Sequence, residues 1–119
     1  MRKIDTLKKN YEFKNVLNKG KFYRGKYITI YVSKNKKEKN VIGIAISKKI
    51  GKAVKRNRLK RLIRESYRLQ KNELEKGYNL VFLWNKNQEK NCQCNVVYED
   101  MKILFKRSGI LKWRSWVFY

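Results

Sequence analysis

The sequence predicts an α/β domain: three short strands, a strongly basic helix crossing from the second strand to the third, and a further helix towards each end. Three observations carry that reading. The segments KYITIYVS and VIGIAIS alternate apolar residues with polar or small ones, the period-two pattern of half-buried strands. YNLVFLW, from Tyr78 to Trp84, is a third run of strand length and strand composition. Between the second and third runs, Leu59, Leu62, Ile63 and Ser66 recur at helical spacing within a stretch otherwise dominated by Lys and Arg. At 119 residues, with no proline, no internal repeat and no linker, the chain is read as one domain spanning 1–119 around one modest core.

The elements follow in order. Asn10 to Lys19 places Phe13, Val16 and Leu17 at i, i+3 and i+4, which predicts a short first helix. Gly20 stands where a helix C-terminus favours a left-handed residue. KYITIYVS turns Ile28, Ile30 and Val32 to one face and Tyr27, Thr29 and Tyr31 to the other. The polar run KNKKEKN leads into VIGIAIS, where Ile42, Ile44 and Ile46 alternate with Gly43, Ala45 and Ser47, and a hairpin between these two strands is expected. After the basic helix and YNLVFLW comes a loop, NKNQEKNCQCN, and then a helix on which Val97, Met101, Leu104 and Phe105 share a face.

Charge narrows the function. There are 32 Lys and Arg against nine Asp and Glu, a formal net charge of +23, and such a field attracts polyanions. Nucleic acid or an anionic membrane is therefore the partner class to weigh, and regular apolar periods in a chain that is 42% hydrophobic argue against a disordered basic tail. No stretch approaches the ~18 consecutive apolar residues of a membrane span, and MRKIDTLKKNYEF lacks the apolar run of a secretory signal. A cytoplasmic protein is expected, with neither a membrane nor a small-molecule substrate among its partners. Histidine is absent, and Cys92 and Cys94 are the only cysteines, too few for a structural zinc site of about four nitrogen or sulfur ligands. Both are read as reduced thiols on a loop, and no metal site is expected on the protein.

The basic stretch from Lys48 to Arg68 carries ten Lys or Arg and a single acid, Glu65. At about 100° per residue, Leu59, Leu62, Ile63 and Ser66 fall in one arc, and Asn57, Lys60, Arg61, Arg64 and Arg68 in the opposite one. Lys48, Lys49 and Lys52 sit at the strand end and the turn through Gly51, while Lys55, Arg56 and Arg58 flank the first helical turn. The cations thus fan around a helix N-terminus whose dipole adds to their potential. Like-charged pairs such as Lys60 and Arg64 cost the free protein about 0.2–0.5 kcal/mol each. A merely solvated helix surface mixes signs, and this one hardly does, which points to binding.

IGKAVKRNRLKRLIR, with Ala53, Arg56, Asn57, Arg58, Leu59, Arg61 and Arg64 at these spacings, resembles the signature of the protein subunit of bacterial ribonuclease P. The likeness extends to LKKNYEFKNVLNKG, to IGIAISKKIGKAVKRN and to the strand and helix that follow, so it covers nearly the whole chain. It implies a compact α/β domain of α+β sandwich type, whose small mixed sheet carries an RNA-binding helix on a β-α-β crossover. That crossover is left-handed in the family, against the general right-handed rule. The resemblance also implies an enzyme that trims the 5′ leader from precursor tRNA, in which the catalyst is the partner RNA with its magnesium ions. The protein binds no cofactor alone and assists.

The residues allow that division of labour. A protein nuclease needs a general base or paired metal-binding carboxylates. This chain has no histidine and no compact D-x-D or E-x-D motif; Glu99 and Asp100 diverge by about 100° on a helix, and Glu73 and Glu75 lie among lysines. Two binding surfaces are expected instead. The helix stripe with Lys48, Lys49 and Lys52 suits phosphates and, by resemblance, meets the catalytic RNA. The other is an aromatic face of Tyr27, Thr29 and Tyr31 opposite the first helix, with Phe13 and Leu17 at its edge, suited to unpaired bases and, by resemblance, to the precursor leader. Phe13 and Leu17 have a competing reading as core residues. Leu17 departs from the family, whose members can carry a second aromatic there, and the tail ILKWRSWVFY, with Trp113, Trp116 and Phe118, is more aromatic than expected. A ribosomal RNA-binding protein is the alternative function; a membrane-surface helix is a third, opposed by the strands around the helix.

Overall fold

The computed structural model describes residues 4–85 and 94–112. Three α-helices, α1 (Asn10–Lys19), α2 (Ala53–Gln70) and α3 (Cys94–Ser108), accompany four strands, β1 (Lys21–Arg24), β2 (Ile28–Lys34), β3 (Val41–Ala45) and β4 (Tyr78–Trp84). The sheet order is β1-β2-β4-β3, antiparallel except for the parallel pair β3 and β4. This mixed sheet with its three helices is the α+β architecture expected, with two corrections.

The hairpin expected between β2 and β3 does not form, because β4 lies between them. β4 is the most apolar strand, with Leu80, Val81, Phe82 and Trp84 buried; its central position gives it a paired strand on each edge, and its two faces lie in the two apolar clusters under the helices. It pairs along its whole length with β2, from Ile28 opposite Trp84 to Lys34 opposite Tyr78, and the loop after β2 carries β3 past it to the edge. The fourth strand, β1, escaped the sequence reading: KFYR is short and exposed at three of four positions, and it forms because it pairs with β2.

The sheet separates two apolar clusters. On one face Ile28, Ile30, Leu80 and Phe82 meet Leu59, Ile63 and Tyr67 of α2 and Val97, Met101, Leu104 and Phe105 of α3. On the other, Val81 and Val41 meet Leu7 and α1 through Val16, with Phe13, Tyr31 and Leu83 half-buried around them. The buried face of α2 runs through Leu59, Ile63, Ser66, Tyr67 and Gln70, and Leu62 stands at its margin.

Gly20 corrects another expectation. Its backbone is extended, φ −79° and ψ 158°, not left-handed. Glycine is needed there for contact: a Cβ would lie 2.6 Å from the Val16 carbonyl oxygen and 2.9 Å from that of Val32. The chain before α1 covers the outer edge of β3, Leu7 N–H donating to Ile42 O at 2.8 Å and Ile42 N–H to Asp5 O at 2.9 Å.

Candidate RNA interface

The entry to α2 is built by its own cations. Ser47 Oγ accepts the Lys49 N–H at 3.2 Å and starts a single 3-10 turn over Lys48–Ile50. Lys55 Nζ then donates to Ile50 O at 3.3 Å and Arg56 Nε to Gly51 O at 3.2 Å. Lys55 and Arg56 are half-buried in this role, whereas Lys48, Lys49, Lys52, Asn57, Arg58, Arg61 and Arg64 are exposed, and Lys60 is half-buried. Arg68 is exposed but engaged: its Nε donates to Glu65 Oε2 at 3.0 Å and its Nη2 to Oε1. That hydrogen bond holds the Glu65 carboxyl below the usual carboxylate value and raises Arg68. A phosphate at Arg68 has Glu65 as competitor; one at Arg61 or Arg64 does not.

The outer surface of α2 has two characters. Towards α1 it is cationic, through Lys60 and Arg64. On the other flank Val54 is 84% and Leu69 54% exposed. Between them Leu62, Arg58, Arg61, Arg64 and Glu65 line a shallow hollow of about 440 Å³. Val54, Leu62 and Leu69 thus stand beside the arc of Lys60, Arg61, Arg64 and Arg68, not within it, because α3 and the sheet bury a narrower arc of α2 than helical periodicity allots.

The aromatic cleft lies on the opposite sheet face and is laid out by strand register. Phe22, Tyr31, Val81 and Gly43 are paired in one row across all four strands, and Arg24, Thr29, Leu83 and Ala45 in the next. Paired residues share a face, so both rows look towards α1. The first row passes under the helix at Val81; the second stays open, with Thr29, Leu83 and Ala45 half-buried. Gly43 makes room for Phe13, whose Cε1 lies 2.5 Å from where a Cβ would stand. Thr29 Oγ1 donates to Asn85 Oδ1 at 2.6 Å, and Asn85 Nδ2 to Gly25 O at 2.8 Å. Asp100, reaching from α3, accepts the N–H groups of Lys26, Tyr27 and Ile28 at 2.9, 2.8 and 3.1 Å, clamping the β1–β2 turn.

The predicted cleft residues divide. Phe13, Thr29 and Tyr31 stand together on this face. Tyr27 does not: it precedes β2, so strand alternation does not reach it, and it packs on the other cluster with its ring 6.2 Å from that of Trp84. Leu17 is 37% exposed on α1 and lines neither of the two cavities of this face. Phe22 was missed with its strand; its ring centroid is 5.7 Å from that of Tyr31. Cleft and stripe, read from sequence as separate surfaces, meet at the β3 edge, where Phe13, Gly43, Lys60 and Arg64 line one cavity of about 220 Å³. Trp113, Trp116, Phe118 and Cys92 lie outside the described residues.

Five of the acids are occupied elsewhere. Asp5 faces Lys39 at 3.6 Å, Glu73 faces Lys102 at 3.9 Å, Glu65 holds Arg68, and Asp100 holds the turn. Glu12 accepts the Lys8 and Lys9 N–H groups at the start of α1, and those bonds hold its carboxyl below the usual value. No three His, Cys, Asp or Glu side chains come together among the described residues, and no helix there is long and apolar enough to cross a membrane. What the arrangement offers is cations for phosphates and ring faces for bases.

Fold and surfaces define a small cationic α+β RNA-binding protein. A family profile described as ribonuclease P matches residues 1–109, and the chain is 41% identical over 113 residues to the ribonuclease P protein component of Clostridium botulinum, spanning 91% of this chain and 97% of that one. The chain belongs to the ribonuclease P protein family. It is accordingly a protein subunit of a ribonucleoprotein endoribonuclease acting in tRNA 5′ processing. The solved structure of the Staphylococcus aureus ribonuclease P protein is similar at a TM-score of 0.81 and 25% identity, over 92% of this chain and 100% of that one. For the Thermotoga maritima protein the TM-score is 0.79 at 29% identity, over 89% and 97%.

Proposed function

We propose that the chain works in the cytoplasm as an adaptor within ribonuclease P: α2 and the turn before it seat the protein on the catalytic RNA, and the cleft beneath α1 holds the unpaired 5′ leader of precursor tRNA. Partnership with the ribonuclease P RNA comes with the family; the leader is this reading's addition. The observation that carries it is the shared cavity at the β3 edge, where Phe13 from the cleft and Lys60 and Arg64 from α2 face the same space. RNA lying there has a ring for its bases and cations for its phosphates, and the leader is led from the cleft directly onto the helix that meets the catalytic RNA.

In this reading Lys48, Lys49, Lys52, Asn57, Arg58, Lys60, Arg61 and Arg64 meet RNA phosphates, while Lys55 and Arg56 hold the turn that presents them. Phe13, Thr29 and Tyr31 hold leader nucleotides. Magnesium is assigned to the RNA, where it supplies the chemistry of cleavage. The protein's contribution is placement, since a leader held at both ends enters the reaction with less freedom to lose.

The test is reconstitution. Protein alone is expected to leave precursor tRNA uncut in magnesium, and addition of the cognate RNA to give cleavage at the mature 5′ end. In that complex, Tyr31→Ala should raise the dissociation constant of precursor relative to mature tRNA, with Tyr31→Phe near the parent because the ring is kept. Cleavage by RNA-free protein would remove the assignment of chemistry to the RNA, and equal weakening of both tRNAs would remove Tyr31 from the leader site.

A further inference from the structure

Resting on that reading of the cleft, we infer a distal nucleotide subsite at the β1 edge, formed by Phe22, Tyr31, Arg24, Thr29, Leu83 and Asn85, which takes one unpaired nucleotide of the leader beyond the position held at Tyr31. The cavity there measures about 310 Å³ and is distinct from the one at the β3 edge.

Four observations build it. Phe22 is 62% exposed although its ring sits against that of Tyr31, at 5.7 Å and an interplanar angle of 35°. A ring so placed shows one face to the cavity and is propped from behind, the geometry a stacked base needs. Arg24 lies two residues along the same strand face and is exposed; no carboxylate among the described residues pairs with it, so its guanidinium is available to a phosphate. The floor is the half-buried Leu83, bordered by the Thr29–Asn85 hydrogen bond. Asn85 is 7% exposed and fixed at both ends of its amide. Finally, the β1–β2 turn behind the site is held by Asp100 and by Arg107 Nη1 donating to Arg24 O at 3.2 Å, so this strand is anchored although, among the described residues, no strand pairs with its outer side.

The occupant follows from charge and continuity. The chain's +23 selects a polyanion, and the site continues the open row that leads from Ala45 beside α2 to Arg24. The leader extends in the 5′ direction away from the cleavage site, and α2 is the end of the cleft that meets the catalytic RNA. Phe22, one strand spacing or about 4.8 Å beyond Tyr31, therefore holds a nucleotide farther 5′ than Tyr31 does.

The experiment uses the reconstituted complex and precursor tRNAs whose leaders are shortened one nucleotide at a time, with the dissociation constant measured at each length. In the parent, affinity should rise until the nucleotide that reaches Phe22 is present. Phe22→Ala should abolish the gain from that outermost nucleotide, lowering the ratio of long-leader to short-leader affinity roughly five- to tenfold, at the low end of base–aromatic stacking. Phe22→Trp should restore it, and Arg24→Ala should reduce the salt dependence of the same step. An unchanged ratio, whether neither length or both lengths weaken, overturns the subsite. Tyr31→Ala keeps the two readings apart: if it fails to separate precursor from mature tRNA, the cleft reading itself has failed. If it separates them while Phe22→Ala leaves the ratio alone, only the distal subsite is lost.

Discussion

Asp100 is a side chain on which the shape of the cleft depends without touching its contents. Its carboxylate is 8% exposed and accepts three successive backbone N–H groups at 2.8 to 3.1 Å. Both oxygens lie 2.7 Å from where a side chain on Gly25 would begin, so turn and carboxylate are fitted to each other. Asp100→Asn keeps the size of the group but replaces one acceptor oxygen by an NH2 that faces N–H donors. One or two of the three donors then lose their partner, at about 1–3 kcal/mol for each that stays buried, which sums to about 1–6 kcal/mol. For a chain of this length that lowers Tm by roughly 4 °C per kcal/mol, or about 4–24 °C. Thermal and urea unfolding of Asp100→Asn beside Glu99→Gln, an exposed neighbour expected to be silent, measures it. Well below the transition, the reconstituted complex should also discriminate less between precursor and mature tRNA, because Phe22 and Tyr31 ride on the loosened hairpin. A loss under about 1 kcal/mol with discrimination intact would refute the clamp.

Other expectations follow from the same geometry. Gly43→Ala sets a Cβ 2.5 Å from Phe13 Cε1 and 3.0 Å from Leu7 Cδ1, which should cost about 1–3 kcal/mol by overpacking and weaken precursor binding together; unchanged unfolding and unchanged affinity would show that Phe13 yields freely. Arg61→Ala and Arg64→Ala should each flatten the slope of log affinity for the catalytic RNA against log salt by about one phosphate contact. Arg68→Ala should flatten it less, since Glu65 already competes for that guanidinium; equal effects at all three positions would mean that the ion pair opens on binding. Burial pushes the Tyr67 phenol up to about 12, with the Asp5 charge adding to it. The folded protein therefore keeps a proton that the unfolded chain releases near its ordinary value of 10, so this contribution is present below pH 10 and lost as pH rises towards 12. Tyr67→Phe should show a shallower alkaline decline in unfolding midpoint than the parent, and parallel curves would place the hydroxyl in water.

The sequence by itself determined what depends on near neighbours along the chain. Period-two alternation located β2 and β3, period 3.6 located the faces of α1, α2 and α3, and the charge of Lys48 to Arg68 with its spacing marked both the RNA-binding helix and the family. Tertiary structure decided what depends on neighbours far apart. Alternation reports that a strand has a buried face but not which strand lies beside it, so the insertion of β4 between β2 and β3 could not be read. β1 has almost no pattern of its own and exists through β2; with it came Phe22, Arg24 and the far end of the cleft. Tyr27 left the cleft because a turn held by Asp100, 73 residues away, ends the alternation before reaching it. The junction of Phe13 with Lys60 and Arg64 likewise joins segments that meet only across the β3 edge. Such contacts carry no local signature, since their free energy is gained only when the chain closes loops of tens of residues, and that closure is a property of the whole fold.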